Sequence, residues 1–290
     1  MSNDPSIVHV IGASGRTGVA LCRSLLADAV DVVPVVRDAA RWAATGINMT
    51  PRIADITSTA ALRSALTDAT HIVGCAHARH AGAVIAAAPP DAHFVFLGST
   101  RKFSKWPDAH GDGVLAGEAA FLASGRSGVM LHPTMIYGAQ GEDNVQRLAA
   151  WLRWLPIVPL PEGGRSLVQP IHQDDVTRAI RTALAHPWRG QQSLVIAGPN
   201  PLPYAELVRA IATATALRRP RIINVPAGLL MTLAAILRYI PRLPRIRPSE
   251  IRRLMEDKSF DVHPMIDALG VQPMPLTEGL ARAFALPNKS

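Results

Sequence analysis

An apolar strand, a turn with three evenly spaced glycines and a helix follow one another at the start of the chain, and that order restricts the fold more than anything after it. Ile7-Val8-His9-Val10-Ile11 leads directly into Gly12-Ala13-Ser14-Gly15-Arg16-Thr17-Gly18, and Val19 to Ala27 continues with helical periodicity. Gly12 permits a tight turn out of the strand, Gly15 lets backbone amides approach a pyrophosphate, and Gly18 allows close packing of helix on sheet. The helix start adds unpaired N–H groups and the positive end of its dipole. Glycines also punctuate ordinary turns. Their place between an apolar strand and an amphipathic helix is what points to a dinucleotide site. Gly12, Ser14, Gly15, Arg16, Thr17 and Gly18 are the resulting candidate contacts.

A chain of 290 residues buries about three quarters of its unfolded surface, enough for one large α/β domain, alone or with a smaller lobe. Apolar residues make up 48% of it, which excludes a disordered chain. The net charge of +8, carried almost wholly by arginine, suits an anionic ligand, nucleic acid or an acidic membrane, or is simply solvated surface. No nucleic-acid-reading motif is present and aromatics are only 5%, so nucleic acid is not an expected partner. Cys22 and Cys75 form no metal or disulfide pattern, and the first residues lack an apolar signal core, so a cytoplasmic location is expected.

Val32-Val33-Pro34-Val35-Val36 reads as a second strand buried on both faces, ending in Arg37-Asp38. The residue at that strand end meets the adenosine ribose: an acid favours a free 2′-hydroxyl and an arginine a 2′-phosphate. Arg37 with Arg16 makes NADP(H) the preferred cofactor, while Asp38 leaves NAD(H) possible. Arg52 to Ile56 reads as a short third strand before a helix capped by Thr57 or Ser58, and His71 to Ala76 as a fourth. An alanine-rich helix follows and stops at Pro89-Pro90. The fifth strand, His93 to Gly98, delivers Ser99 and Thr100. This alternation predicts an α/β fold with a Rossmann-type, doubly wound parallel sheet. Ligands of such sheets bind at the carboxyl ends of the strands, which places Cys75, Ala76 and Ser99 among the candidates.

The GxxGxxG spacing resembles the short-chain dehydrogenase/reductase superfamily, in its extended and atypical branches, and the resemblance covers most of the chain. It implies that Asp55 and Ile56 flank the adenine ring and that Pro133 and Thr134 face the nicotinamide, with His132 where the family usually has arginine. It also implies a catalytic serine or threonine at Ser99, followed by Tyr-x-x-x-Lys. Here the chain departs from the pattern: His110 stands at the tyrosine position and Val114 at the lysine position. His110 is the candidate acid/base, with Lys102, Lys105 and Tyr137 as other possible replacements.

From Gly141 the pattern changes, so residues 1–140 are expected to form the NAD(P)-binding core, and 141–290 to supply late strands and a small C-terminal substrate lobe. Trp151 and Trp154 either line a pocket or fill a core, and core filling is the expectation. Asp174 or Asp175 is expected to cap the helix after Ile171-His172. Val225 to Leu237 is a helix too short to span a bilayer, which takes roughly 20 apolar residues. Flanked by Arg238, Arg242, Arg245 and Arg247, it packs on the lobe or lies in an acidic membrane interface, so a membrane or protein-complex contact is possible through 225–253. The C-terminal part resembles more loosely one subgroup, proteins similar to the NADPH-binding accessory subunit of respiratory complex I.

Two functions follow as expectations. One is an NADP(H)-dependent oxidoreductase or epimerase/dehydratase acting on a small polar metabolite, with Ser99 and His110 as catalytic residues. The other is a non-catalytic NADPH-binding sensor or structural accessory protein, possible because the tyrosine–lysine pair is missing.

Overall fold

Valine and isoleucine runs at the start of the chain form strands buried on both faces, and helices separate them. The computed structural model describes residues 7–138, 144–237 and 248–285. The first half runs β1 (Ile7–Ile11), α1 (Arg16–Ala27), β2 (Asp31–Val36), α2 (Ala39–Ala43), β3 (Arg52–Ile53), α3 (Thr59–Ala65), β4 (His71–Gly74), α4 (Ala81–Ala87), β5 (His93–Leu97), α5 (Ala109–Leu122) and β6 (Gly128–Pro133). The second half runs β7 (Ile136–Tyr137), α6 (Asn144–Leu152), β8 (Ile157–Leu160), β9 (Leu167–Val168), β10 (Ile171–His172), α7 (Gln173–Ala185) and β11 (Gln191–Ile196). It ends with β12 (Leu202–Pro203), α8 (Tyr204–Ala214), β13 (Arg221–Asn224), α9 (Ala227–Leu237), α10 (Pro248–Arg253), α11 (His263–Leu269) and α12 (Leu276–Phe284).

Seven parallel strands form the main sheet in the order β11-β6-β5-β4-β1-β2-β3. The chain builds outward through β2 and β3, then returns to place β4 on the other side of β1. That reversal opens a crevice at the carboxyl ends of β1 and β4, where doubly wound folds bind ligands. Pro34 sits inside β2 opposite Val10. The Val35 carbonyl faces β1, where it accepts the Gly12 N–H at 3.0 Å, so Pro34 turns its backbone toward β3. β3 pairs only with Val35 and Val36, and the missing N–H of proline breaks no bond there.

Two apolar cores cover the sheet's faces. Val8, Val10, Val95, Val129 and Leu131 meet Leu21 and Leu25 of α1 and Val176 and Ile180 of α7. Ile72, Phe94, Phe96 and Met130 meet Leu62 of α3, Val84 of α4 and Val114 and Phe121 of α5. A third core gathers Tyr137, Val145, Leu148, Val158, Leu160, Leu207, Val208, Ile211 and Leu280.

Three local expectations need correction. α7 is capped by His172, whose Nδ1 accepts the Asp174 N–H at 3.2 Å, and not by an aspartate. Asp174 and Asp175 lie in its first turn, where they complement the helix dipole, and buried Asp175 accepts the Met274 N–H at 2.8 Å. Trp154 fills no core: it is 84% exposed, whereas Trp151 is half-buried beneath the Arg147 guanidinium. The third strand ends at Ile53, because Asp55 turns the chain by accepting the Thr57 N–H at 2.9 Å. The helix expected from Val225 runs from Ala227 to Leu237, and no described helix is long and apolar enough to cross a membrane. Arg238, Arg242, Arg245 and Arg247 lie outside the described residues.

Candidate functional site

Gly12 leaves β1 with φ +75°, and a Cβ on it would lie 2.9 Å from the Ala76 nitrogen. Only glycine takes that backbone at so close an approach without strain. The Gly15 N–H donates to the Gly12 carbonyl at 2.9 Å, closing the turn. Gly15 is the N-cap of α1 and offers no side chain to the helix, and the first turn holds no acid. The leading N–H groups of a 12-residue helix therefore keep their affinity for an anion. A Cβ on Gly18 would come 2.5 Å from the Gly12 carbonyl, so the helix lies hard against the loop. Ser14 is half-buried in the loop and Arg16 is exposed at its rim. Thr17 turns toward the neighbouring helix, donating to Gln173 Oε1 of α7 at 3.1 Å.

The exposed Arg37 stands at the end of β2. Asp38, the residue that favoured NAD(H), is engaged as the N-cap of α2, accepting the Arg41 N–H at 3.1 Å. Asp55 is exposed, and the Thr57 backbone N–H and hydroxyl hold its carboxyl below the usual range, with Arg37 adding to the effect. Ile56 is half-buried against the second core.

Cys75 and Ala76 follow β4, where the Cys75 N–H donates to the Ile11 carbonyl at 2.9 Å. Burial pushes the Cys75 thiol well up, leaving it protonated at neutral pH. Ser99, half-buried after β5, accepts the Arg101 N–H at 3.2 Å through its hydroxyl oxygen, which leaves the hydroxyl hydrogen to donate elsewhere. Pro133 ends β6 and its carbonyl accepts the Thr100 hydroxyl at 3.2 Å. Thr134 Oγ1 is buried and has no hydrogen-bond partner among the described residues. A buried hydroxyl left unpaired is costly, and its place after β6 suits a polar group of a ligand.

His110 lies in the first turn of α5, which Asp108 caps by accepting the His110 and Gly111 N–H groups at 3.1 and 2.9 Å. Its Nδ1 is 3.1 Å from Nε2 of His77, a residue between β4 and α4 that periodicity does not single out. The rings meet edge to face at 4.4 Å between centroids. His77 is pushed down to about 4, by burial first and then by His110 and Arg79. His110 is lowered by burial and by the Arg101 guanidinium. Both are therefore neutral at pH 7. His77 Nδ1 accepts the Arg79 N–H at 3.1 Å, which puts the His77 proton on Nε2. That proton is given to His110 Nδ1, so His110 carries its own hydrogen on Nε2.

Two of the other replacement candidates, Lys102 and Tyr137, are engaged elsewhere. Lys102 Nζ lies 2.5 and 2.7 Å from the Glu118 oxygens, inside a cluster with His132 and Ser193. Burial raises the Glu118 carboxyl, but hydrogen bonds from Lys102 and Ser193 outweigh it and hold the group below its usual range. His132 is pushed down to about 4 by burial and by Lys102. Its Nδ1 accepts the Ser99 N–H at 3.2 Å, so its Nε2–H donates to Glu118 Oε1 at 3.1 Å. Nothing in the apolar pattern marks Glu118 for this role, and only its place on the sheet-facing side of α5 brings it to the cluster. Tyr137 is 1% exposed in the third core, edge-on to His172. Lys105 is exposed and its backbone N–H donates to Glu256.

Residues 12–105 match the NAD(P)H-binding family model. A curated relative, 3β-hydroxysteroid-dehydrogenase/decarboxylase isoform 1 of Arabidopsis thaliana, is 27% identical over 204 residues, 62% of this chain. The chain spans 46% of that relative's length. An NADPH-dependent quinone oxidoreductase of Escherichia coli, solved with NADPH, superposes with a TM-score of 0.75 at 19% identity, covering 96% of this chain and 99% of that one. MoeE5, solved with UDP-glucuronic acid and NAD, superposes at 0.70 and 20% identity, covering 95% and 96%. These structural likenesses carry the fold, and the family model carries the dinucleotide. The chain has a Rossmann-type fold, and its residues 12–105 form an NAD(P)H-binding domain.

Proposed function

We propose that the protein is an NADP(H)-dependent oxidoreductase that interconverts a carbonyl and an alcohol on a small polar metabolite, with Ser99 and His110 in place of the tyrosine–lysine pair. The N–H groups at the start of α1 hold the pyrophosphate, Arg16 and Arg37 the 2′-phosphate, Asp55 and Ile56 the adenosine, and Pro133 and Thr134 the nicotinamide amide. Bound nicotinamide supplies or accepts the hydride. Ser99 and His110 Nε2–H donate hydrogen bonds to the substrate oxygen and stabilise the charge that grows there. A neutral imidazole is too weak an acid to give up that hydrogen, so the oxygen takes its proton from solvent. The observation that carries this reading is the His77–His110 pair, which supports a donor on His110 Nε2, and the resemblance sets His110 at the tyrosine position. Two relatives named above, a dehydrogenase and an oxidoreductase, fit the same class.

The test separates a donor from an acid/base. His110→Ala is expected to lower kcat by about 100-fold, the usual loss of one oxyanion donor, while His110→Gln, which keeps an N–H, recovers part of it. The pH profile of kcat from 7 to 9 is expected to stay flat, whereas a slope that vanishes in His110→Ala contradicts the donor role. Cofactor choice has its own test. Arg37→Ala is expected to weaken NADPH by about 10- to 100-fold, as loss of a charge-assisted phosphate contact does, with NADH affinity almost unchanged by titration calorimetry. Equal losses for both dinucleotides contradict the 2′-phosphate assignment.

One observation favours a second reading: Lys102 is sequestered by Glu118 and Tyr137 is packed in a core, so neither of these two serves the site as an acid. A protein that binds NADPH as a sensor or structural ligand needs none.

A further inference from the structure

We propose that the outer face of the β8–β13 ribbon is a docking surface for an anionic phospholipid bilayer. Strand pairing builds the surface. β8 and β13 run parallel, with Ile157 beside Arg221 and Pro159 beside Ile223. Along β8 the side chains alternate: Val158 and Leu160 enter the third core, and Ile157 and Pro159 face out. Because the strands are parallel, the segments that lead into them also lie side by side, and the Arg221 N–H donates to the Pro156 carbonyl at 2.9 Å. One of those segments carries Trp154 and Leu155, the other Arg218 and Arg219.

The exposures are unusual for apolar side chains of this size. Trp154 is 84% exposed, Ile157 46%, and Leu155 and Ile223 37% each. α9, which packs on β8, adds Leu229 and Leu233, also exposed. A contiguous apolar patch on a soluble surface marks an interaction site. The charge around it says with what. Arg153, Arg218, Arg219 and Arg221 are all exposed beside the patch, and neither 144–161 nor 207–237 contains an aspartate or glutamate.

A nucleic-acid backbone would use the arginines and gain nothing from leucine and isoleucine tips. A bilayer interface uses both. Arginines sit at the phosphates, leucine and isoleucine enter the acyl boundary, and tryptophan rests at headgroup depth with its N–H toward water. The ribbon is a sheet of its own, separate from the seven-stranded sheet that holds the dinucleotide crevice, so docking is expected to be independent of the dinucleotide.

Co-sedimentation of the full chain with vesicles tests this. Binding to vesicles of neutral phosphatidylcholine containing 30 mol% phosphatidylglycerol, about the fraction of an acidic membrane, is expected to exceed binding to phosphatidylcholine alone by about tenfold or more. It is also expected to weaken as salt rises. Trp154→Ala, and separately Arg218→Ala with Arg219→Ala, are each expected to reduce binding by about tenfold, with NADPH affinity unchanged as proof that the fold is intact. Equal binding to both vesicle types, full binding by both variants, or retention on heparin without vesicle binding would each overturn the proposal. Loss of NADPH binding by the unaltered protein would bear on the dinucleotide assignment and not on this one.

Discussion

Replacing Glu118 with Gln is expected to cost about 3–5 kcal/mol of folding stability, the usual penalty for leaving a buried charge unpaired. Glu118 and Lys102 side chains are 11% and 9% exposed, and the carboxylate also receives His132 Nε2–H and Ser193 Oγ–H. A glutamine in that place would keep one acceptor but no charge, and its amide hydrogens would face the ammonium. Urea denaturation measures the loss. A paired apolar replacement, Lys102→Met with Glu118→Leu, is expected to recover most of it, because a buried ion pair rarely outperforms well-packed apolar groups. A Glu118→Gln variant within about 1 kcal/mol of the native protein, well below that penalty, contradicts the description of the cluster.

The same cluster gives the fold an acid limit. His132 titrates near 4 in the folded chain against an ordinary value of 6.5, so the unfolded chain binds its proton first. Stability contributed by neutral His132 is complete above pH 6.5 and is lost as pH falls toward 4, by roughly 3 kcal/mol in all at about 1.4 kcal/mol per pH unit. Glu118, held below its usual range, adds to the loss at the acid end of that window. The urea midpoint is therefore expected to fall steadily on acidification from neutral pH, and less steeply in His132→Gln.

Gly15→Val is expected to weaken NADPH by about 100-fold or more, the loss of two charge-assisted hydrogen bonds, while lowering the melting temperature less than Gly12→Val does. Gly15 has φ −79°, a backbone that valine adopts freely. An added Cβ meets only the Gly12 carbonyl, at 3.2 Å. The side chain would instead occupy the space in front of the α1 N–H groups, where a phosphate must come. Gly12→Val makes the contrast. At φ +75° and 2.9 Å from Ala76 nitrogen, it strains the loop itself, so both affinity and stability are expected to fall. Titration calorimetry paired with thermal melts separates the two, and intact NADPH binding by Gly15→Val contradicts the pyrophosphate site.

Most of the sheet and the glycine loop could be read in advance, because parallel strands buried on both faces leave continuous apolar runs and a close turn leaves glycines. What escaped depends on contacts between distant segments. Lys102 reads as a solvated loop residue until α5 places Glu118 against it, 16 positions later. His77 acquires a role only through His110, 33 residues away. Asp174 and Asp175 have the right chemistry for a cap, but His172 takes that place because its ring reaches the Asp174 N–H while Asp175 is drawn to Met274. Trp154 follows the same apolar pattern as Trp151, and only its exposure in the turn after α6 shows that it faces outward. Val114, which the resemblance sets at the lysine position, is 1% exposed in the second core, so a charged group there has no room.

The most direct test of the central claim follows the hydride. NADPH deuterated at the transferable position of the nicotinamide would be bound to the protein and exposed to a panel of small polar aldehydes and ketones together with a cell's small-molecule fraction. Deuterium is expected to appear on carbon in an alcohol product, read by mass, and transfer to fall by about 100-fold, the worth of one oxyanion donor, in Ser99→Ala and in His110→Ala. Deuterium retained on tightly bound NADPH across the whole panel would contradict the oxidoreductase and leave a protein that holds its dinucleotide without using it.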